Sequence, residues 1–307
     1  MCKNFIDLSQ ISKKDICSII DIAHNIKNKS LVSNCLKGKN IAMIFEKSST
    51  RTRVSFEVGI NHLGGNAIIM NANDMQLSKG EEISDTAKVL SRYVDAVIIR
   101  SKYHQTIEDF ASNSHIPVIN ALSDLSHPCQ IMASILTIIE KLGSFQNKRL
   151  AWFGEHNNVL NSYIQLCAIL DFELIISAPS EMSFSNSEID RAKSMGAKIE
   201  IISDPLIAAK NCDVLITDTW FSMGDAAFDN PDLRQKKIDL LAPFQISQEK
   251  MALANKGAIF THCLPAYRGF EVEKEVIDGP QSVVFDEAEN RLHVQKAILI
   301  WLFNNKV

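Results

Sequence analysis

The 307-residue sequence lacks the segments that would take a protein to or through a membrane. No apolar run is long enough to cross a bilayer, and residues 1–7 do not carry the long apolar core of a signal peptide. The net charge is only −4, so no basic stripe is available to neutralise a nucleic-acid backbone. These absences predict a cytoplasmic protein that binds neither membrane nor nucleic acid.

Cysteine and glycine likewise follow no diagnostic pattern. The seven cysteines are scattered and include no CxxC pair, which argues against a disulfide framework and against a structural zinc site. After the apolar run 150–154, the chain continues with residues 155–158 (Glu-His-Asn-Asn) instead of the three spaced glycines of a dinucleotide site. This disfavours a nicotinamide-dependent dehydrogenase, although the second half of the chain has the pattern of a doubly wound sheet.

The composition is that of a globular protein, with 46% hydrophobic and 22% charged residues. Short apolar runs alternate with helical patterns along the chain, which predicts an α/β fold of two doubly wound parallel-sheet domains. A Gly, Ser, Asn and Lys-containing segment at 143–148 is the predicted boundary, giving domains 1–143 and 144–307. We expect the last helix, about 291–307, to pack back on the first domain, and the active site to lie between the two domains.

The turn Ser48-Ser49-Thr50-Arg51-Thr52-Arg53 concentrates groups that bind anions. It follows an apolar run at 41–45 and precedes a helical pattern at 54–63, so helix-start N–H groups, hydroxyls and guanidinium groups meet there. The alternative is that Ser49 or Thr50 is only an N-cap and that both arginines are solvated. So many hydroxyls and arginines in one turn favour a phosphate cradle.

Other polar residues stand at the ends of predicted strands or at helix starts. Arg100 ends the strand 95–99, which makes it either a ligand at a sheet edge or a surface charge. His127 precedes an apolar helix and is followed one turn later by Gln130; it is either a cap or a ligand-binding neutral imidazole. The loop 71–80, with Gln76 and Lys79, is either a solvated connection or a mobile lid over an anion.

Two strand ends in the second half carry the motifs Asp218-Thr219-Trp220-Phe221-Ser222-Met223-Gly224 and His262-Cys263-Leu264-Pro265-Ala266. A cysteine such as Cys263 is ordinarily a small buried hydrophobe. A metal site is disfavoured, because no further ligands stand at zinc spacing around it.

Together these motifs resemble the aspartate/ornithine carbamoyltransferases over the whole length of the chain. The Ser49–Arg53 turn and the segment His127-Pro128-Cys129-Gln130 are similar to the carbamoyl-phosphate signature shared across that family. The two motifs of the second half resemble the ornithine branch. Tyr267 departs from the histidine common there, and the 76–80 loop differs slightly, which leaves a contact from Lys79 open.

The resemblance implies a role for each matching residue. The implied catalytic residues are Arg100, His127 and Cys263. The implied carbamoyl-phosphate contacts are Ser49, Thr50, Arg51, Thr52, Gln76 (from a neighbouring subunit), Arg100, His127, Pro128, Cys129, Gln130, Cys263, Leu264 and Arg291. The implied ornithine contacts are Asn158, Asp218, Ser222 and Met223.

The implied reaction is attack of the δ-amine of L-ornithine on carbamoyl phosphate, giving L-citrulline and phosphate, with no metal and no organic cofactor. The family further implies a homotrimer with shared active sites and a role in arginine biosynthesis. Two alternatives stay open at this point: a carbamoyltransferase for another amine, such as putrescine or an acylated ornithine, and a non-catalytic phosphate-binding module.

Overall fold

The computed structural model describes residues 3–47, 49–72, 75–76, 80–182, 186–221, 227 and 230–303. The chain divides into two compact units: Met1–Leu136 with Glu289–Val307, and Thr137–Ala288. Within the described ranges, no helix combines the length and the apolar character of a bilayer-spanning segment.

The first unit is built on four parallel strands, β1 to β4, and the helices α1 to α4. Its strands are β1 Asn40–Phe45, β2 Asn66–Asn71, β3 Ala96–Arg100 and β4 Val118–Leu122. Its helices are a short 3₁₀ turn Leu8–Gln10, α1 Lys13–Lys27, α2 Thr50–His62, α3 Ile83–Tyr93 and α4 His104–Ser112. The two boundaries between the units fall within helices: α5 Pro128–Leu142 and α12 Val284–Phe303.

The strand order of the first sheet is β2-β1-β3-β4, with every pair parallel. Its inner strands are continuous apolar runs because both faces of such a sheet are buried under helices. One face packs against α3 and α4 through a core that includes Ala42, Val97, Leu90 and Phe110. The edge beyond β4 is covered by the N-terminal segment, which pairs in parallel through Phe5 and Ile119.

The second unit is built on five parallel strands, β5 to β9. Its strands are β5 Arg149–Phe153, β6 Glu173–Ser177, β7 Lys198–Ile201, β8 Val214–Thr217 and β9 Ile259–His262. Its helices are α6 Asn158–Cys167, α7 Asn186–Ser194, α8 Pro205–Ala209, α9 Pro231–Leu241, α10 Gln248–Leu253 and α11 Lys274–Ile277.

The strand order of the second sheet is β7-β6-β5-β8-β9, again all parallel. The predicted fold of two parallel-sheet α/β domains is therefore confirmed. In each sheet the strand order reverses beside the first strand, between β1 and β3 and between β5 and β8. Open α/β sheets bind ligands at the carboxyl ends of the strands at such a switch point.

Most of the element boundaries that the sequence pattern predicts agree with the structure to within two residues, and the larger differences include two helix starts. The helix predicted over 54–63 begins at Thr50, so part of the predicted cradle turn is the first turn of α2. The last helix begins at Val284, well before the predicted start at about 291. At both helix starts, polar residues interrupt the apolar pattern that marks a helix. The sequence pattern therefore predicts a later start than the structure shows.

Candidate active site

The first candidate site lies at the β1/β3 switch point of the first unit, where α2 begins. Ser49 occupies the N-cap position of α2, with extended backbone, but its side chain makes no capping hydrogen bond there. Its hydroxyl instead accepts a hydrogen bond from Arg100 Nη1 at 3.2 Å. Ser49 is therefore an N-cap by position but not by a side-chain hydrogen bond, whereas Arg51 and Arg53 are exposed, as the alternative of solvated arginines expects. The positive end of α2 is left without the side-chain hydrogen bond that ordinarily covers it.

Two arginines converge on one threonine behind that helix start. Thr52 Oγ1 accepts hydrogen bonds from Arg100 Nη1 at 3.3 Å and from Arg291 Nη2 at 2.9 Å. Arg291 also donates from Nη1 to Gln130 Oε1 at 3.0 Å. Thr52, Gln130 and Arg291 are all at least nine-tenths buried. Guanidinium groups held this close create a local positive potential inside an acidic protein, which is the requirement for binding a small anion.

His127 completes this arginine cluster, which we define as Ser49, Thr52, Arg100, His127, Gln130 and Arg291. The imidazole is buried at the start of α5. Burial, followed by the charges of Arg291 and Arg100, holds the pKa of His127 well below its ordinary value. The side chain is therefore neutral near pH 7, as the sequence predicted. A neutral imidazole can donate one hydrogen bond, whereas an imidazolium would carry a second proton that an adjacent dianion could remove.

The depressed pKa of His127 predicts a pH dependence of stability. The unfolded chain takes up a proton here below its ordinary pKa of 6.5, whereas the native protein stays neutral to lower pH. The free energy of unfolding should therefore fall as the pH drops below this value, by at most ~1.4 kcal/mol per pH unit from this one group. Between pH 7 and pH 5, we expect the calorimetric unfolding temperature of His127→Gln to fall by less than that of the wild type.

The matched control for this measurement is His62→Gln, because His62 is exposed at the end of α2. Its unfolding temperature should follow the wild-type curve over the same pH range. Parallel curves for the wild type and for His127→Gln would contradict the inference that His127 is neutral in the native protein.

The other residues predicted for this site occupy varied positions. Thr50 and Arg51 are exposed in the first turn of α2, and Gln76 is exposed in the loop after β2. Pro128 is the first residue of α5. Cys129 is fully buried and donates to Asn120 O at 3.4 Å, and burial raises the pKa of its thiol to about 12. Ser48 and Lys79 lie outside the described residues.

The second candidate site lies at the β5/β8 switch point of the second unit and is centred on Asp218. One carboxylate oxygen accepts from Asn157 Nδ2 at 2.8 Å; the other accepts from Thr219 N at 2.8 Å and from Cys263 Sγ at 3.0 Å. These residues, Asn157, Asp218, Thr219 and Cys263, form the aspartate cluster. It brings Asp218 and Cys263 together as predicted, half-buried, with a negative charge suited to an amine.

The loop that carries Cys263 is fixed by buried polar residues. Leu264 has a left-handed backbone with φ of 57°, which is uncommon for a residue with a branched side chain, and its N–H donates to His262 Nδ1 at 2.9 Å. Nε2 of His262 lies 3.4 Å from Glu271 Oε1, and Glu287 accepts from the His262 N–H at 3.2 Å. This arrangement leaves the thiol of Cys263 directed at Asp218.

Asp218, His262 and Cys263 place one potential metal-ligand atom each within 4.8 Å of one another. Zinc accepts this combination of ligands. However, the thiol already donates to Asp218, Nδ1 of His262 accepts from Leu264, and Nε2 faces Glu271. A resident metal would have to displace these hydrogen bonds, so the atoms are better suited to orienting the loop than to coordinating an ion.

Several polar residues of this site were not predicted from the sequence. Asn157 contacts Asp218, whereas the neighbouring Asn158, which was predicted, is the first residue of α6. Asn157 is the N-cap of that helix, so its helix-start position was the available signal. Glu271 and Glu287 carry no comparable signal, because only the fold buries them beside His262. Ser222 and Met223 lie outside the described residues.

Family models match both halves of the chain. Residues 3–140 match the aspartate/ornithine carbamoyltransferase carbamoyl-P binding domain, and residues 146–302 match the Asp/Orn binding domain of the same family. The chain therefore belongs to the aspartate/ornithine carbamoyltransferase family, and it is a transferase.

Individual relatives lie in one branch of that family. An ornithine carbamoyltransferase of Brucella suis is 47% identical over 99% of this chain and 96% of its own length, and one of Methanoculleus marisnigri is 44% identical over 98% and 97%. The solved ornithine carbamoyltransferase of Pyrococcus furiosus superposes with a TM-score of 0.92 at 40% identity, covering 99% of this chain and 98% of that one. The Campylobacter jejuni enzyme, described as anabolic, gives 0.91 at 42% identity over 99% and 100%.

Proposed function

We propose that this protein transfers the carbamoyl group of carbamoyl phosphate to the δ-amine of L-ornithine, giving L-citrulline and phosphate. The observation that carries the proposal is the pair of switch-point sites with opposite charge: an arginine cluster suited to a dianion and an aspartate cluster suited to an amine. The names of the four relatives described above support the choice of acceptor, because each is an ornithine carbamoyltransferase.

In this proposal the first unit holds carbamoyl phosphate. The phosphate lies at the open helix start, where backbone N–H groups, Ser49, Thr50, Arg51 and Thr52 offer donors. Arg100 and the neutral His127 direct N–H groups at the carbonyl oxygen, which gains negative charge during attack. Donors fixed in advance stabilise that charge more effectively than water does, since they need no reorganisation. Gln130, whose amide is held by Arg291, binds the carbamoyl amino group.

The second unit holds ornithine. The carboxylate of Asp218 pairs with the α-ammonium group, while Asn158, Ser222 and Met223 contribute neutral contacts. The δ-amine resembles that of lysine, with a pKa of ~10.4, so it must lose a proton before it can attack. Cys263 and the Leu264 carbonyl are placed to orient this neutral amine, because the thiol is anchored to Asp218 and the backbone is turned at Leu264.

The reaction then forms one bond and breaks one. The amine lone pair attacks the carbonyl carbon, the bond from that carbon to the phosphate oxygen breaks, and phosphate leaves with the electron pair. The released proton leaves with phosphate or solvent. No covalent enzyme intermediate is required by this scheme. Binding both substrates in fixed orientation supplies much of the acceleration.

The cellular setting also remains part of the proposal. We propose a cytoplasmic enzyme of arginine biosynthesis, in line with the anabolic description of the Campylobacter jejuni relative. We further propose a homotrimer with shared active sites, in which Gln76 reaches the donor bound by a neighbouring subunit. Gln76 is exposed, as that role requires. Sedimentation analysis tests the trimer.

A citrulline-formation assay tests the function. Purified protein with carbamoyl phosphate should form citrulline from L-ornithine, with at most traces of carbamoylated product from putrescine, N-acetylornithine or L-aspartate at equal concentration. The rate should rise with pH as the δ-amine deprotonates. Faster product formation from putrescine or from an acylated ornithine would show that the acceptor is not ornithine. The absence of product from every amine would reject the enzymatic function proposed for this site.

A further inference from the structure

A buried polar chain ties His127 to the neighbouring helix α4. His127 follows a turn at Ser123–Ser126, in which Ser123 N donates to Ser126 O at 2.9 Å and Ser126 N donates to the Ser123 hydroxyl at 3.1 Å. Both serines are fully buried. The Ser123 hydroxyl is in turn 2.7 Å from Nδ1 of His104, the first residue of α4 and 7% exposed. The turn is therefore attached to α4 by a short hydrogen bond between side chains.

The hydroxyl of Ser123 lies at the centre of this chain of hydrogen bonds. It accepts from the Ser126 N–H at 3.1 Å and from Asn120 Nδ2 at 3.5 Å, and it lies 2.7 Å from His104 Nδ1 and 3.4 Å from the Ser126 carbonyl oxygen. The other ring nitrogen of His104, Nε2, faces two carboxylates: Asp7 Oδ2 at 4.0 Å and Glu108 Oε1 at 3.8 Å. The imidazole is therefore placed between the Ser123 hydroxyl on one side and two carboxylates on the other.

A second bond fixes the same turn to the same helix end. The His104 N–H donates to Asp124 Oδ1 at 2.8 Å, so Asp124 serves the start of α4 where Tyr103 makes no side-chain cap. The Asp124 N–H donates to the Lys102 carbonyl at 3.1 Å, just beyond the strand that ends on Arg100. The loop before His127 is thus linked to the segment after Arg100. His127 and Arg100 both belong to the arginine cluster.

We propose that His104 and Ser123 are positioning residues for His127, which fix the turn before α5 and thereby set where the imidazole meets carbamoyl phosphate. The proposal rests on the donor-binding role given to the arginine cluster above. Neither residue belongs to that cluster, so both act through His127. A displacement of a catalytic group by about 1 Å can cost a hundredfold in rate, so a single lost hydrogen bond at this turn should be visible in kinetics.

The test compares Ser123→Ala with Ser91→Ala in steady-state kinetics. Ser91 makes the same kind of bonds at the opposite end of β4: its hydroxyl accepts from the His115 N–H at 3.2 Å and lies 3.2 Å from Ser114 Oγ. We expect Ser123→Ala to lower kcat about ten- to a hundredfold. Ser91→Ala should keep the wild-type kcat. The KM for ornithine should stay within about twofold in both variants, since the aspartate cluster is untouched.

A second pair of variants separates positioning from loss of folding. His104→Asn can keep a hydrogen-bonding group near the position of Nδ1, whereas His104→Leu removes it. The proposal expects His104→Asn to recover most of the kcat that His104→Leu loses. The double variant His104→Leu/Ser123→Ala should be no slower than the slower single variant, because both remove one shared bond.

Three outcomes decide the matter. A kcat loss confined to Ser123→Ala and His104→Leu, with unfolding temperatures matching that of Ser91→Ala, supports the positioning role. Equal kcat in Ser123→Ala and Ser91→Ala, with an active wild type, overturns it and leaves the proposed function intact. A wild type that forms no citrulline rejects the proposed function instead; calorimetric titration with carbamoyl phosphate then decides, since unchanged affinity in Ser123→Ala would overturn the positioning role as well.

Discussion

Arg100→Ala should reduce kcat/KM for carbamoyl phosphate by about 10²–10³, the cost typical of removing one fixed donor from a developing negative charge. Arg100 is held by the hydroxyls of Ser49 and Thr52, so its guanidinium group is in place before the ligand arrives. Removing it also takes a positive charge from the β1/β3 switch point. Steady-state kinetics with carbamoyl phosphate as the varied substrate measure the effect.

Two further variants sharpen this test. Arg92→Ala removes an exposed arginine from the last turn of α3 and should leave kcat/KM unchanged. Arg100→Lys keeps the charge but loses the planar guanidinium group, of which Nη1 alone donates to both hydroxyls, so we expect its kinetics to lie closer to those of Arg100→Ala than to those of the wild type. An Arg100→Lys variant with wild-type kinetics would show that charge alone matters there. Wild-type kinetics for Arg100→Ala would remove Arg100 from the donor site.

Asp218→Asn should raise the KM for ornithine about 10- to 100-fold, the equivalent of losing one hydrogen bond to a charged group. The carboxylate is the centre of the aspartate cluster, and the proposed partner is the α-ammonium group of the substrate. The KM for carbamoyl phosphate should change by less than about threefold, because the donor is bound by other residues. Initial rates measured with each substrate varied in turn separate the two constants.

The matched control is Asp213→Asn, at the opposite end of the same strand. Asp213 also accepts from a backbone N–H, that of Arg149 at 2.9 Å, and from an asparagine, Asn255 at 3.2 Å. It precedes β8, whereas Asp218 follows it. Asp213→Asn should therefore lower the unfolding temperature at most and leave both KM values unchanged. Equal changes in the two KM values for Asp218→Asn would show that Asp218 acts on the site as a whole.

The differences between the predicted and the observed site have a common cause. Local patterns identified Ser49, Arg100, His127 and Asp218, because each stands at a strand end or a helix start that the sequence marks. The sequence did not show that Asn157 contacts Asp218, although Asn157 stands at a helix start, since adjacent asparagines differ only in where α6 begins. Nor did it reveal Glu271 and Glu287, whose burial beside His262 results from packing between distant segments.

The sequence by itself determined the alternation of strands and helices and the family, and it predicted an anion-binding turn, because these depend on short-range periodicity and on residues close together in the chain. Only the tertiary structure decided which polar groups meet. The hydrogen bond from Arg291 to Thr52 joins residues 239 positions apart, and the one from Cys263 to Asp218 joins residues 45 positions apart. For Asp218 and Cys263 the physical reason is that parallel strands bring their carboxyl ends to one edge of a sheet whatever their separation in the chain. Arg291 reaches Thr52 because α12 packs on α2, where Gly59 lies against Leu292 and Lys296.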